Sequence, residues 1–448
     1  MSQSLPLEIK VGKILKFAFP TVLMMVFAGL YTMVDGLFVA RYVGTDALGA
    51  VNIVFPYISV VIGIGVMLGT GGSAIVAKSL GEGFRERASK EFSLIVAFGL
   101  IVGIVVMIPT AIFLDECVRL LGATDRLFGY GKDYMFWIVF SAPFGVLALI
   151  FQSFFVTAAK PGLGLIVSTA GGVINIVLDY VLIAVCGMGT VGASIGTAIG
   201  NSVPGIFGLC YFLARRKGLI VLTKPVWSFR IIGKATFNGS SEMVTNLASA
   251  VTTLLFNFAM LRLIGEDGVA AITVALYLQF FLSTVFIGYS MGVAPVFSFH
   301  YGKRNAAAIA KLFRISMIFL AANAALWYAV AMFARAPLIA VFAPAGGNVF
   351  RIALQGWYLF APMILFAGFN IFASAMFTAF SDGIRSAVIS FLRTFVLLST
   401  LILVLPLIWG VTGIWIAVPL AEAATLIVSS FLMIGKRHDY LYATLPKQ

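Results

Sequence analysis

Long apolar runs, separated by short stretches rich in Lys, Arg, Gly and Pro, recur along the whole chain. Each holds roughly 20 residues or more, enough for a helix to cross a hydrocarbon layer about 30 Å thick. In hydrocarbon, backbone polar groups can pair only within helices or closed barrels. Barrel strands alternate polar and apolar residues over about ten positions; these runs are continuous, so they predict helices. Twelve spans result, over 14–40, 47–77, 92–114, 134–158, 162–186, 190–213, 235–262, 268–299, 312–334, 353–380, 386–408 and 411–434. The expected fold class is all-α integral membrane, in contact with a lipid bilayer.

Positions 221 apart match in type. Gly12-Lys13 corresponds to Gly233-Lys234, Gly44 and Asp46 to Gly265 and Asp267, Gly71 and Gly81 to Gly292 and Gly302, Lys90 to Lys311, and Gly189 and Gly192 to Gly410 and Gly413. The matches fall at equivalent loops and helix ends, which predicts an internal duplication. Six helices per copy is even, so the copies are parallel repeats about an axis along the membrane normal. The expected organisation is an N-lobe (1–214), a basic linker (215–232), a C-lobe (233–434) and a tail (435–448). Transporters built from such repeats bind substrate near the midplane between lobes.

The net charge of +13 would raise nucleic acid as a partner for a soluble chain. Here the charge sits in short loops and reads as orientation. Loops on the side of the N-terminus hold 23 of the 30 Lys and Arg residues, among them Lys78, Arg85, Arg215, Lys303 and Lys436. The positive-inside rule puts both termini in the cytosol, with the protein in the plasma (inner) membrane. Cys117, Cys186 and Cys210 form no metal or redox spacing and read as free thiols. A first run longer than a typical leader core, with no small-residue cleavage site after it, argues against a cleaved signal peptide.

Four acids fall inside spans: Asp35, Asp179, Glu242 and Glu422. Charge in a bilayer is costly, so such residues face a cavity or a partner; the alternative is a neutral acid hydrogen-bonded between helices. Asp35 lies 19 residues past Lys16, and Asp179 lies 19 past Lys160. Both acids therefore sit about 28 Å along their helices. Tyr31 and Asn175 each precede an acid by four positions and share its helix face. Such pairs suit a proton or Na⁺ site. Pro20 removes a backbone bond from the first helix, leaving a static kink or a moving hinge. Arg393, about two turns into its helix, is expected to snorkel to the headgroups. The 41 Phe and 16 Met residues can supply soft contacts to apolar cations, although most must face lipid or pack between helices.

Enzyme signatures are missing. No phosphate-cradling GxxxxGK[ST] motif occurs, and His300 and His438, the two histidines, begin no metal motif. A membrane transferase would need a polar cluster at one headgroup surface, and a channel would need a filter-like loop; neither is present. The chain is expected to be a non-enzyme that uses no cofactor.

The run Val34-Asp35-Gly36-Leu37-Phe38-Val39 leading to Val43-Gly44, the segment Gly71–Gly83 and Asn175-Ile176-Val177-Leu178-Asp179 resemble stretches of the multidrug and toxic compound extrusion (MATE) transporters. Gly239-Ser240-Ser241-Glu242 and Gly292-Val293-Ala294-Pro295 do so in the second half, so the resemblance covers nearly the full length. It implies an antiporter that exports lipophilic organic cations in exchange for H⁺ or Na⁺, working as a monomer with small cationic substrates and no nucleic acid. It implies that Asp35 and Asp179 form the first-lobe coupling site with Asn175, Tyr134 and Thr197, and that Gln152 stands where some members carry asparagine. Pro20 matches the bent first helix, and Glu242 matches a seventh-helix acid used for Na⁺. The tenth-helix aspartate of that second site is missing from 366–380, and Glu422 is the candidate to compensate. With Tyr31, the four span acids are the candidates for the substrate cavity. A lipid-linked precursor flippase of the wider superfamily is the alternative, and it would carry deep basic charge.

Overall fold

The computed structural model describes residues 8–38, 42–43, 45–215 and 217–442, without the side chains of 32–37 and 45–48. Among the described residues every regular element is helical. The first half forms α1 (Val11–Phe38), α2 (Thr45–Gly81), α3 (Arg85–Ile112), α4 (Leu114–Leu120), α5 (Asp125–Thr157), α6 (Pro161–Asp179) and α7 (Gly189–Ala214). The second half forms α8 (Phe229–Leu263), α9 (Glu266–Gly302), α10 (Ala306–Phe333), α11 (Arg335–Ala340), α12 (Asn348–Phe360), α13 (Ile364–Ala379), α14 (Gly383–Phe391), α15 (Leu398–Trp409) and α16 (Val411–Lys436). A 3₁₀ turn joins α12 to α13, and a π turn, Leu392–Leu397, joins α14 to α15. A second π turn, Tyr180–Val185, prolongs α6. Among the described residues, twelve spans are long and apolar enough to cross a membrane. Because twelve is even, α1 begins and α16 ends at one face, here called the terminal face.

The duplication is legible in the packing. The short helices α4 and α11 both follow the third span of their half, and Leu114 and Arg335, their first residues, are 221 apart. Each lobe has its own apolar core. In the first lobe Phe92 packs against Phe154 and Phe212 with ring centroids 4.7 and 4.8 Å apart. In the second, Trp357 is buried and donates to the Ala331 carbonyl at 2.8 Å. The start of each lobe's first helix crosses over: Ile14 belongs to the second core and Ala235, its repeat partner, to the first.

A seam of small residues joins the lobes. A Cβ on Gly81 would overlap the Phe299 carbonyl oxygen, and one on Gly302 would overlap that of Lys78. Deeper, a Cβ on Gly71 would stand 2.7 Å from the Gly239 nitrogen, and one on Gly292 3.0 Å from the Ala18 Cα. A Cβ on Gly288 would stand 2.6 Å from the Val22 Cα, and one on Gly63 3.4 Å from the Met243 sulfur. Residues 81 and 302, 78 and 299, 71 and 292, 18 and 239, and 22 and 243 are all pairs 221 apart. The repeat is therefore a pseudo-twofold contact in which α2 and α9 meet across the axis. Lipid gives helices no hydrophobic reason to associate, so close backbone approach at small residues supplies the packing.

The connection between halves is not a free tether. The backbone nitrogens of Val221 and Thr223 donate to Ser89 and Ser93 of α3 at 3.3 and 2.8 Å, and Arg85 donates to the Gly218 carbonyl at 2.9 Å. Past α16 the chain folds back: Tyr440 stacks on Phe380 with centroids 4.8 Å apart, and Tyr442 is buried in the second core.

Candidate functional site: one buried polar centre in each lobe

The N-lobe centre is built by glycines. Gly171 of α6 and Gly200 of α7 pack backbone to backbone, a Cβ on Gly200 standing 2.9 Å from the Gly171 carbonyl oxygen. That approach buries the face of α6 carrying Asn175 and Asp179, which are 4% and 0% exposed. Asn175 donates to the Thr197 hydroxyl at 3.5 Å. One carboxylate oxygen of Asp179 fills the notch left by Gly196, where a Cβ would overlap it. Asp179 is also the last α-helical residue before the π turn, a local widening frequent at functional sites. It lies 18 residues from Pro161, about 27 Å along the helix. Tyr31 of α1 lies against Gly172, where a Cβ would be 2.8 Å from its ring. This contact sets α1 beside α6, three residues before Asn175. Asp35 follows Tyr31 by four positions on α1; its side chain lies outside the described residues. Tyr134 of α5 is buried and Gln152 is partly buried.

This notch makes a specific expectation. In Gly196→Ala only a side-chain end has to move, so the fold should survive while the Asp179 carboxylate is displaced. The transport expected from the sequence should fall roughly tenfold or more with unchanged expression and melting temperature. Gly200→Ala drives a Cβ toward the Gly171 carbonyl and the Asn175 Cβ instead, so it should lower the melting temperature. Transport and thermal unfolding of both variants check the contrast.

The C-lobe centre differs. Arg393, at the start of the π turn, pairs with Glu422 of α16, Nε to Oε1, at 2.8 Å, with side chains only 15% and 5% exposed. Asn370 of α13 donates to the other carboxylate oxygen at 2.8 Å, and Ser429 donates to the Asn370 oxygen at 3.0 Å. The expectation that Arg393 snorkels to the headgroups is therefore replaced: it lies ten residues past Gly383, about 15 Å deep, and turns inward to a carboxylate. The sequence had placed basic residues at the periphery, and this one is central. Glu242 of α8 lies within electrostatic range of Arg393 and is partly exposed. At 100° per residue it projects between Asn238, which donates to Thr378 of α13, and Gly239, which touches α2. Glu242 thus lies between a contact within its own lobe and one with α2 of the other.

A family model described as MatE matches the chain twice, over residues 20–181 and 242–403. The chain belongs to the MatE family. The Multidrug export protein MepA of Staphylococcus saprophyticus is 24% identical over 420 residues, covering 92% of each protein, and that of Staphylococcus haemolyticus is 22% identical over 425 residues, covering 94% of this chain and 93% of its own length. Among solved structures, a MATE protein in complex with MaL6 superposes with a TM-score of 0.91 at 21% identity over 97% of both chains.

Within this MatE chain the structure brings Asn175, Asp179 and Thr197 together and sets Tyr31 beside them. It separates Glu422 from the first lobe and gives it Arg393, Asn370 and Ser429. The tenth span carries no acid and contributes Asn370 instead. Sequence reading missed Asn370 and Ser429 because a lone amide or hydroxyl carries no signal without its partner. Glu91, just outside the 92–114 span expected from the sequence, is a buried residue of α3 that accepts from Ser79 at 2.7 Å and from Arg87 at 2.9 Å.

Proposed function

We propose that this protein exports small lipophilic cations, in the manner of multidrug efflux, in exchange for H⁺ or Na⁺, its lobes opening their shared space to one face at a time. The observation that carries the reading is Asp179, a fully buried carboxyl in a glycine-built notch beside an amide and a hydroxyl. A carboxyl far from water favours its neutral or cation-bound form, and one reopened to water favours the bare anion. A site that alternates between these environments exchanges its ion between faces. Asp35 is its partner in this reading, with Tyr134 and Gln152 at its margin. The seam between α2 and α9 is the closed gate on the terminal face. Pro20, inside α1 where that helix passes from the C-lobe core to the Asp179 site, lets α1 bend as the ion is taken up.

The flippase alternative is not favoured: the one deep arginine described is neutralised by Glu422. Cells overexpressing the protein are expected to accumulate less ethidium. Unchanged handling of every lipophilic cation, with stalled lipid-linked sugars on deletion, would transfer the assignment to the flippase.

In this reading the terminal face is cytosolic, which the excess of basic residues on that side supports. Cys186, an exposed residue between α6 and α7, and Cys117 on α4 are then external. An impermeant maleimide applied to intact cells should label a variant retaining Cys186 alone. Labelling only after permeabilisation would reverse the orientation.

A further inference from the structure

The C-lobe centre holds two acids and one arginine at similar depth. Arg393, Asn370, Glu422 and Glu242 lie about 14–21 Å from the terminal-face ends of their helices. Arg393 lies in the π turn that packs against α8, bonded to Glu422, with Glu242 of α8 within its electrostatic range. Both oxygens of the bonded acid are engaged, one by Asn370 and one by Arg393, and the guanidinium balances its charge, which leaves little attraction for a second cation. Glu422 is buried, whereas Glu242 is partly exposed beside the interlobe seam. The π turn that begins at Leu392 inserts an extra residue per turn and sets the direction in which Arg393 leaves its helix.

We infer that Arg393 is a specificity-determining residue: by holding Glu422 in a neutral pair it leaves Glu242 as the single net negative charge of the C-lobe centre, which fits that face to monovalent organic cations and keeps a free metal cation out. The inference rests on the cation-export reading and deepens it. The guanidinium takes the place an inorganic cation would otherwise occupy between two carboxylates. It is bound to the chain, so the C-lobe cannot exchange it, and ion exchange is left to the Asp179 site. Glu422 touches no cargo here; it positions Arg393 and holds it away from Glu242.

This gives a pair of effects with opposite sign. In Glu422→Gln, Arg393 loses its counter-charge and turns to Glu242, the remaining acid within its electrostatic range. Binding of tetraphenylphosphonium should weaken about tenfold or more, as in Glu242→Gln. In Arg393→Gln the centre carries two negative charges, and the preference for the dication methyl viologen over tetraphenylphosphonium should rise about tenfold. The double variant Arg393→Gln/Glu422→Gln restores one net negative charge and leaves two amides able to bond each other. It should return both the affinity and the preference to within about threefold of wild type.

Equilibrium binding of the two cations to purified full-length protein, with Na⁺ varied, measures all four variants. Rescue in the double variant is the readout a merely structural role would not give. If Arg393→Gln does not fold, the loss in Glu422→Gln and its recovery in the double variant still decide the matter. Additive losses in the double variant, or an unchanged dication preference in a folded Arg393→Gln, would overturn the inference. Wild-type protein that binds neither cation would instead overturn the export reading, a result visible before any variant is compared.

Discussion

Asp179→Asn is expected to abolish gradient-driven transport, by roughly a hundredfold or more, while equilibrium binding of cationic substrate stays within about threefold of wild type. The amide keeps the size of the carboxyl and stays in the Gly196 notch, so the α6–α7 packing survives. It can neither bind nor release a proton and has no charge for Na⁺. One pH unit of gradient supplies about 1.4 kcal/mol per proton. A chain reaches that energy only through a group whose ion affinity changes with conformation, and Asp179 is a fully buried acid of the first lobe, on the face of α6 that carries Asn175. Asp35→Asn should behave alike, and the double variant should be little worse than either single one, because residues acting as one unit are not additive. Transport in proteoliposomes beside equilibrium binding checks the split. Near-normal driven transport by Asp179→Asn would return this acid to a packing role.

The second large effect concerns the seam. Replacing Gly81 and Gly302 by Leu puts side chains where a Cβ already overlaps the backbone of the other lobe. Backbone cannot yield as a side-chain end can, so the terminal face should no longer close. With spin labels at Glu82→Cys and Lys303→Cys, the distance across the seam should lengthen by roughly 5–10 Å relative to the same labels on wild-type glycines. Transport should fall to background while monodisperse protein is still recovered, because each lobe keeps its own core. An unchanged label distance with full transport would show that the seam is not a gate.

The twelve spans were legible because a 20-residue apolar run has few alternatives in hydrocarbon. The duplication was legible from glycines, although not its physical meaning. Gly81 and Gly302 match in sequence because each must let the other lobe's backbone approach, and only the folded chain shows which carbonyl each one meets. The N-lobe centre was half legible. An i, i+4 spacing put Asn175 and Asp179 on one face, and the resemblance supplied Thr197. The Gly196 notch had no signal, since glycines are common throughout this chain. The C-lobe was least legible. Arg393 and Glu422 are 29 positions apart and joined by tertiary packing alone. The snorkelling rule is sound for an arginine near a helix end, but it fails where a buried carboxylate lies closer than the headgroups.

In the proposed cycle an ion gradient drives cation export through the buried carboxyl of the first lobe. Its most direct test is tetraphenylphosphonium movement in proteoliposomes, with an imposed pH gradient and an imposed Na⁺ gradient applied separately and no nucleotide present. The expected result is movement against the tetraphenylphosphonium gradient under one of the two ion gradients, lost when that gradient is collapsed and absent in Asp179→Asn. Downhill movement indifferent to both gradients, or uphill movement preserved in Asp179→Asn, would show that this carboxyl does not couple an ion to export.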